Sequence, residues 1–185
     1  IRELTRIEGR RGDEAWLTID AEIQKYVASR LGEKPSSTVV MDIHTGEILA
    51  LVSKPSFDPN IFNRGLTQAK WNRLITNPYS PLNNKAIAGQ YAPGSVFKMV
   101  VALAALEKGV ISRNNRVFCK GEMELGSAKF HCWKFKGHGS MDLYNAIAQS
   151  CDIYFYEVAL KTGIDAIASM AHRLGLGQKY QFEIP

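Results

Sequence analysis

No apolar run in this 185-residue sequence approaches the roughly 20 residues that a membrane-crossing helix needs, and no secretory leader pattern is visible. Internal repeats are absent, and no segment is of low complexity. Cysteine is scarce. Cys119, Cys132 and Cys151 are the only three, so one disulfide would leave a thiol over. Charge of one sign is not concentrated either: the net charge is +5, and Lys and Arg are scattered apart from Arg6, Arg10 and Arg11. With no accompanying motif, that balance gives no reason to expect a nucleic-acid partner.

What is present suits a globular domain with one core, at 45% hydrophobic and 22% charged residues. Residues 1–13 are polar and read as a linker or the end of a preceding module. Asp20 is placed to cap a helix from Ala21 to about Leu31, closed by Gly32. Residues 38–43 and 47–53 flank His44-Thr45-Gly46 as a hairpin. One helix is predicted at 67–76 in an otherwise irregular stretch. Residues 117–140 are aromatic and glycine-containing, without a clear period. Helices follow at 141–149, 154–162 and 164–174, with Gly163 and Gly175 as C-terminal stops. Strands first and helices later predict an α+β fold.

Ser95-Val96-Phe97-Lys98, entered through Ala92-Pro93-Gly94, carries the chemistry. It opens an apolar run, Met99 to Leu106, that reads as a buried helix closing near Gly109. Positions i and i+3 share a helical face, so Ser95 Oγ and Lys98 Nζ can meet. A lysine desolvated there can lose its charge and accept the serine proton, which is how a weak hydroxyl becomes a nucleophile. The bare tetrapeptide is common, and an N-cap serine followed by a surface lysine is its ordinary meaning. Eight apolar residues after Lys98 make a poor setting for an unpaired charge, and they favour the chemical reading.

The surrounding residues add specificity. Leu17-Thr18-Ile19-Asp20, the run from Val39 to Ser53, Pro55-Ser56-Phe57-Asp58-Pro59-Asn60, Asn84-Lys85-Ala86 and Tyr91-Ala92-Pro93-Gly94-Ser95 occur in order. Together they resemble a class B penicillin-binding protein of the elongation type, the penicillin-binding protein 2 group. The resemblance implies a penicillin-binding/serine β-lactamase-like transpeptidase fold. Residues 14–185 would be its N-terminal portion, the first strands of an antiparallel sheet plus the helical subdomain. It implies a peptidoglycan D,D-transpeptidase that cross-links stem peptides through an acyl-serine and is a target of β-lactams. Scaffold and polymerase proteins of the elongation machinery are the implied partners. The implied location is the periplasmic face of the inner membrane, with an anchor outside this chain.

By the same resemblance Ser150-Cys151-Asp152 is the second motif, in a Ser-x-Asp version of the usual Ser-x-Asn. Ser150 would relay a proton between Lys98 and the leaving amine, and Asp152 would accept a hydrogen bond from Lys98 or from substrate. Lys161-Thr162-Gly163 spells the third motif but follows Ser150 by only eleven residues, in a helical context. It is read as a helix end. The strand that binds the substrate carboxylate and completes the oxyanion hole is then expected beyond Pro185, and this chain alone is expected to react poorly with β-lactams.

The cysteines frame a histidine in the pattern Cys119-x12-Cys132-x5-His138-x12-Cys151. Three thiols and an imidazole match a closed tetrahedral zinc site in ligand type, although no tight Cys-x-x-Cys pair is present. Some elongation-type relatives resemble this pattern, with acidic residues replacing some cysteines. A structural zinc is the candidate metal, with no cofactor expected for the chemistry itself; a disulfide is the competing fate of the thiols. His131 is the competing imidazole, disfavoured by its neighbour Cys132. The rival readings are a serine β-lactamase or D,D-carboxypeptidase, a penicillin-sensing receptor domain, and a pure interaction module.

Overall fold

The computed structural model describes residue 9 and residues 12–179; the Arg6, Arg10 and Arg11 cluster, and most of the expected linker at 1–13, lie outside them. The chain divides into two units, Ile1–Tyr91 and Ala92–Pro185. Among the described residues no helix is long and apolar enough to cross a membrane.

In the first unit, helix α1 (Ala21–Leu31) begins where predicted, because Asp20 accepts hydrogen bonds from the amides of Glu22 and Ile23. Strands β1 (Ser36–Met41) and β2 (Ile48–Lys54) form an antiparallel hairpin with Val40 opposite Ala50. Its turn is set by Asp42, whose Oδ1 accepts from the amides of His44 and Thr45, and by Gly46 at φ 78°. Gln24 pins α1 to β2, donating to Leu51 O at 2.9 Å and accepting from Leu51 N–H at 2.8 Å. Short helices α2 (Asn60–Asn63), α3 (Gln68–Ile75) and α4 (Lys85–Ala88) complete this unit. Thr67 and Asn84 cap α3 and α4 with their side chains.

The second unit holds the principal core. A 3-10 turn, Gly94–Val96, leads into α5 (Phe97–Glu107), so Ser95 sits in that turn rather than in the α-helix expected to begin with it. Gly94 adopts φ 56°, which lets the chain turn abruptly from Pro93 into the helix. Helix α5 buries Val100, Val101, Ala102, Ala104 and Ala105, while Met99, Leu103 and Leu106 remain exposed. The apolar run is therefore continuous in sequence but one-sided in burial. Helix α7 (Asp152–Thr162) contributes Ile153, Tyr154, Phe155 and Val158, and α8 (Ile164–Arg173) contributes Ile167 and Met170. Each such aliphatic or aromatic side chain stabilises the fold by about 1.5–3 kcal/mol on full burial.

The aperiodic region 117–140 contains four strands: β3 (Val117–Cys119), β4 (Glu122–Leu125), β5 (Ala128–His131) and β6 (Gly139–Met141). Strand β3 pairs with β6, and β4 with β5, all antiparallel. At three or four residues each, they are too short for an alternating pattern to register. Met141, expected to start a helix, ends β6 opposite Val117; α6 (Leu143–Ala148) begins after Asp142, whose carboxylate accepts from Asn145 N–H. Two glycines let this region close on itself. Gly121 (φ 101°) and Gly137 (φ 75°) bring the backbone around Cys119 against that of Phe135, where any Cβ would collide with a carbonyl oxygen.

Candidate active site

Ser95 is exposed at the mouth of the helical core, and Ser150 Oγ donates a hydrogen bond to Ser95 Oγ at 2.8 Å. Lys98 reaches from the first turn of α5 into the joint between α6 and α7. Its Nζ donates to Ser150 Oγ at 2.9 Å, to the Ser150 carbonyl at 2.9 Å and to Asp152 Oδ1 at 2.6 Å. Ser95 and Lys98, expected to touch directly across one helical face, are instead joined through Ser150. The Lys98 amine spends its donors on the Ser150 hydroxyl, the Ser150 carbonyl and the Asp152 carboxylate.

Ser150 is one of two non-glycine residues described with positive φ, at 51°. This left-handed conformation costs about 1–2 kcal/mol for an L-residue. It lets the residue turn both its hydroxyl and its carbonyl oxygen toward Lys98. Cys151 then becomes the N-cap of α7 in extended conformation, and Asp152 is the first helical residue, two positions before the expected start. Asp152 is pushed upward by burial, but the Lys98 hydrogen bond and the Trp133 backbone N–H outweigh this and hold its carboxyl below the usual value.

The contacts of Lys98 suit a proton carrier. A neutral amine has two N–H donors and a lone pair, and an ammonium has three donors. Asp152 Oδ1 and the Ser150 carbonyl can only accept, so they take N–H bonds in either form. Ser150 Oγ can donate or accept, so it alone meets both the lone pair and the third N–H. The ring of Phe155, with its centroid 5.8 Å from Lys98 Nζ, closes the other side.

Behind this chain lies the sulfur cluster. One ligand atom each from Cys119, Cys132, His138 and Cys151 lies within 4.8 Å of all the others. His138 Nδ1 stands 3.6 Å from Cys119 Sγ and 3.5 Å from Cys132 Sγ. A tetrahedral ion with bonds of about 2.3 Å to sulfur and 2.05 Å to nitrogen separates those atoms by about 3.5 Å. Backbone N–H groups of Lys134, Asp152 and Ile153 reach Cys132 and hold its thiol below the ordinary value against the opposing effect of burial. Cys151 goes the other way: burial pushes it up to about 12. Burial, helped by the nearby Lys134 charge, keeps His138 neutral to lower pH than usual. The three cysteines are free thiols, and a divalent cation would supply the charge that lets all three ionise together. The donor set therefore fits zinc. His131 lies outside the cluster, exposed on β5 and facing Glu122 at 3.9 Å.

Lys161-Thr162-Gly163 is the end of α7, as the sequence indicated. Thr162 is fully buried and donates its hydroxyl to Val158 O, Gly163 is the C-cap at φ 82°, and Lys161 pairs with Glu157.

Sequence reasoning missed Trp133. Its backbone N–H donates to Asp152 Oδ2 at 3.0 Å, and its indole Nε1–H donates to Gln149 O at 3.0 Å. Adjacency to the candidate ligand Cys132 was the only available signal.

The chain matches the family described as the penicillin binding protein transpeptidase domain over residues 36–185. It is 38% identical over 179 residues to the peptidoglycan D,D-transpeptidase MrdA of Escherichia coli, which covers 96% of this chain and 28% of that protein. Among solved structures it is similar to Pseudomonas aeruginosa PBP2 in complex with WCK 5153, with a TM-score of 0.84 and 37% identity. That match covers 90% of this chain and 38% of the other. It is also similar to Helicobacter pylori PBP2 in its complex with MreC, with a TM-score of 0.81 and 37% identity over 87% of this chain and 30% of that one. The chain thus spans just over a quarter of the curated relative's length.

Proposed function

The chain belongs to the penicillin-binding protein transpeptidase family, and from that premise we propose that it carries the acylation centre of a peptidoglycan D,D-transpeptidase. The observation that carries this reading is the hydrogen-bonded series Ser95–Ser150–Lys98–Asp152. Ser95 Oγ attacks the carbonyl of the terminal D-Ala-D-Ala bond of a stem peptide. The Ser95 proton passes to Ser150 as the Ser150 proton passes to the Lys98 amine. The same path in reverse delivers a proton to the nitrogen of the departing D-alanine. An amine from a neighbouring stem then attacks the acyl-serine, restoring Ser95 and forming the cross-link. A β-lactam follows the first half of this course, but its leaving nitrogen stays tethered and the ester persists. Asp152 fixes the orientation of Lys98 throughout and does not exchange protons.

Cys119, Cys132, His138 and Cys151 are proposed to hold a structural zinc. Bound there, it would tie Cys151, which lies between Ser150 and Asp152, to the loop that carries Cys132 and His138. With all four ligand positions supplied by protein, such a metal would serve structure and would activate no water.

Further expectations rest on the family. The working site is proposed to lie on the periplasmic face of the inner membrane, beside the peptidoglycan. Elongation scaffold proteins are the proposed partners, as Helicobacter pylori PBP2 is found with MreC.

The test is mass spectrometry after exposure of the full natural chain to benzylpenicillin. A stoichiometric adduct on the peptide containing Ser95, absent in Ser95→Ala, is expected. An unmodified Ser95, or an adduct elsewhere, would overturn the reading. Rapid turnover of a chromogenic cephalosporin would favour a β-lactamase instead.

A further inference from the structure

We infer that Trp133 is a positioning residue for acyl transfer, acting through Ser150 and Asp152; the inference rests on the reading of Ser95 as the acylated nucleophile. Trp133 is 63% exposed, so burial does not account for where it sits. Both its N–H groups are nevertheless committed to the segment that holds the second motif.

The backbone N–H occupies Asp152 Oδ2, leaving Oδ1 to Lys98. With one donor on each oxygen the carboxylate plane is fixed, and so is the direction from which it meets the amine. The indole N–H occupies the Gln149 carbonyl. Gln149 is the C-cap of α6, and a carbonyl there has no acceptor role within the helix. The next residue is Ser150, at φ 51°. Its amide bonds to Ile147 O and the following amide, of Cys151, to Ala146 O, so the turn is closed from the helix side. Lys98 holds it from the core side through the Ser150 carbonyl. The indole supplies a second hold on the peptide group that sets the Ser150 φ angle, whose N–H already bonds to Ile147 O. Held at one end only, that plane can tilt, and a tilt moves Ser150 Oγ away from Ser95 Oγ and lengthens the proton path.

Trp133 also meets the His138 ring edge-on, with centroids 5.2 Å apart. A residue needed only to cover that ring requires the aromatic surface but not the N–H. Trp133→Phe keeps an aromatic ring and the backbone donor while removing the indole donor along with part of the ring surface. Benzothienylalanine at position 133 is a closer isostere, with sulfur in place of Nε1–H.

The experiment measures single-turnover acylation by a fluorescent penicillin in the full natural chain, resolving the binding constant from the acylation rate constant. Both variants are expected to lower the rate constant about 5- to 30-fold, the effect of one lost hydrogen bond, with binding changed less than about twofold. A rate constant within about twofold of wild type, or a loss confined to binding, overturns the inference. Amide hydrogen exchange at Ser150 and Cys151 provides a readout that needs no reactive serine. Exchange in Trp133→Phe should be about tenfold faster. Unchanged exchange overturns the inference even if wild type forms no penicillin adduct, a result that would instead sink the nucleophile assignment.

Discussion

Asp152 meets Lys98 at 2.6 Å, with side chains only 22% and 14% exposed. The pair is shielded enough to be strong and open enough to exchange protons with a neighbour. Its two partners differ in role. The carboxylate is fully engaged, by Lys98 on one oxygen and Trp133 N–H on the other, whereas the amine keeps one flexible contact, to Ser150 Oγ.

Loss of the base should slow acylation without preventing folding. Lys98→Met is expected to reduce the rate of penicillin adduct formation at Ser95 by roughly 10²- to 10⁴-fold, the usual contribution of a positioned general base. Stopped-flow labelling checks this, with thermal melting to establish that the variant is folded. A rate within about threefold of wild type would remove Lys98 from the mechanism.

Asp152→Asn replaces the charge with the amide of the Ser-x-Asn form of the motif, yet it should be unfavourable here. One end of the amide can accept from Lys98, but the other then turns an NH₂ group toward Trp133 N–H, donor against donor. A loss of about 1–3 kcal/mol is expected, read from urea unfolding. An unchanged midpoint would mean that the loop at Trp133 relaxes freely.

Zinc should copurify at close to one equivalent when no chelator is used. Its removal should lower the melting temperature, as should Cys132→Ser, because metal binding is linked to folding. Elemental analysis finding below about a tenth of an equivalent would sink the site. Cobalt substitution should give thiolate charge-transfer absorption that Cys132→Ser weakens.

Lys161→Ala should leave penicillin labelling within about twofold of wild type, since Lys161 lies at the end of α7 paired with Glu157. Gly163→Ala, by contrast, should destabilise by about 1 kcal/mol, because φ 82° is strained for alanine. A large labelling defect in Lys161→Ala would restore the rejected motif.

Stability in acid should report the cap of α6. Asp142 is held below its ordinary carboxyl value, chiefly by the Asn145 backbone N–H. A depressed value in the fold means that the contribution is fully present above the unfolded value of about 4 and is lost as pH falls through the folded one. Urea midpoints measured from about pH 6 to 3 should fall more steeply below pH 4 in wild type than in Asp142→Asn, whose amide still caps the helix. Parallel curves would show that the cap does not depend on charge.

Much of the first unit was legible in the sequence. The cap of α1, Asp20, was readable because a side chain and the amides it serves lie within three positions, whereas Thr67, read as the first residue of a helix, proved to be the cap of α3. In the second unit, the helix boundaries near Gly163 and Gly175 were readable because glycine takes the positive φ at which a helix ends. Region 117–140 was not, because three- and four-residue strands are stabilised by partners such as Met141 opposite Val117, far away in sequence. The candidate ligands were legible as residue types, while their convergence depended on Gly121 and Gly137 allowing two backbones to pass within contact.

The sequence by itself determined the chemical vocabulary: a serine and lysine at a helix entrance, a second serine with an acid two positions on, and three thiols with one imidazole. Tertiary structure decided how these are connected. Ser150 lies 55 positions from Ser95 and 52 from Lys98, yet it stands between them, and Trp133 enters as their restraint. Local signals extend only as far as a helical turn or a hairpin, since they arise from hydrogen bonds between near neighbours. Contacts across more than 50 residues exist only after the core of α5 and α7 has formed and fixed where each side chain points.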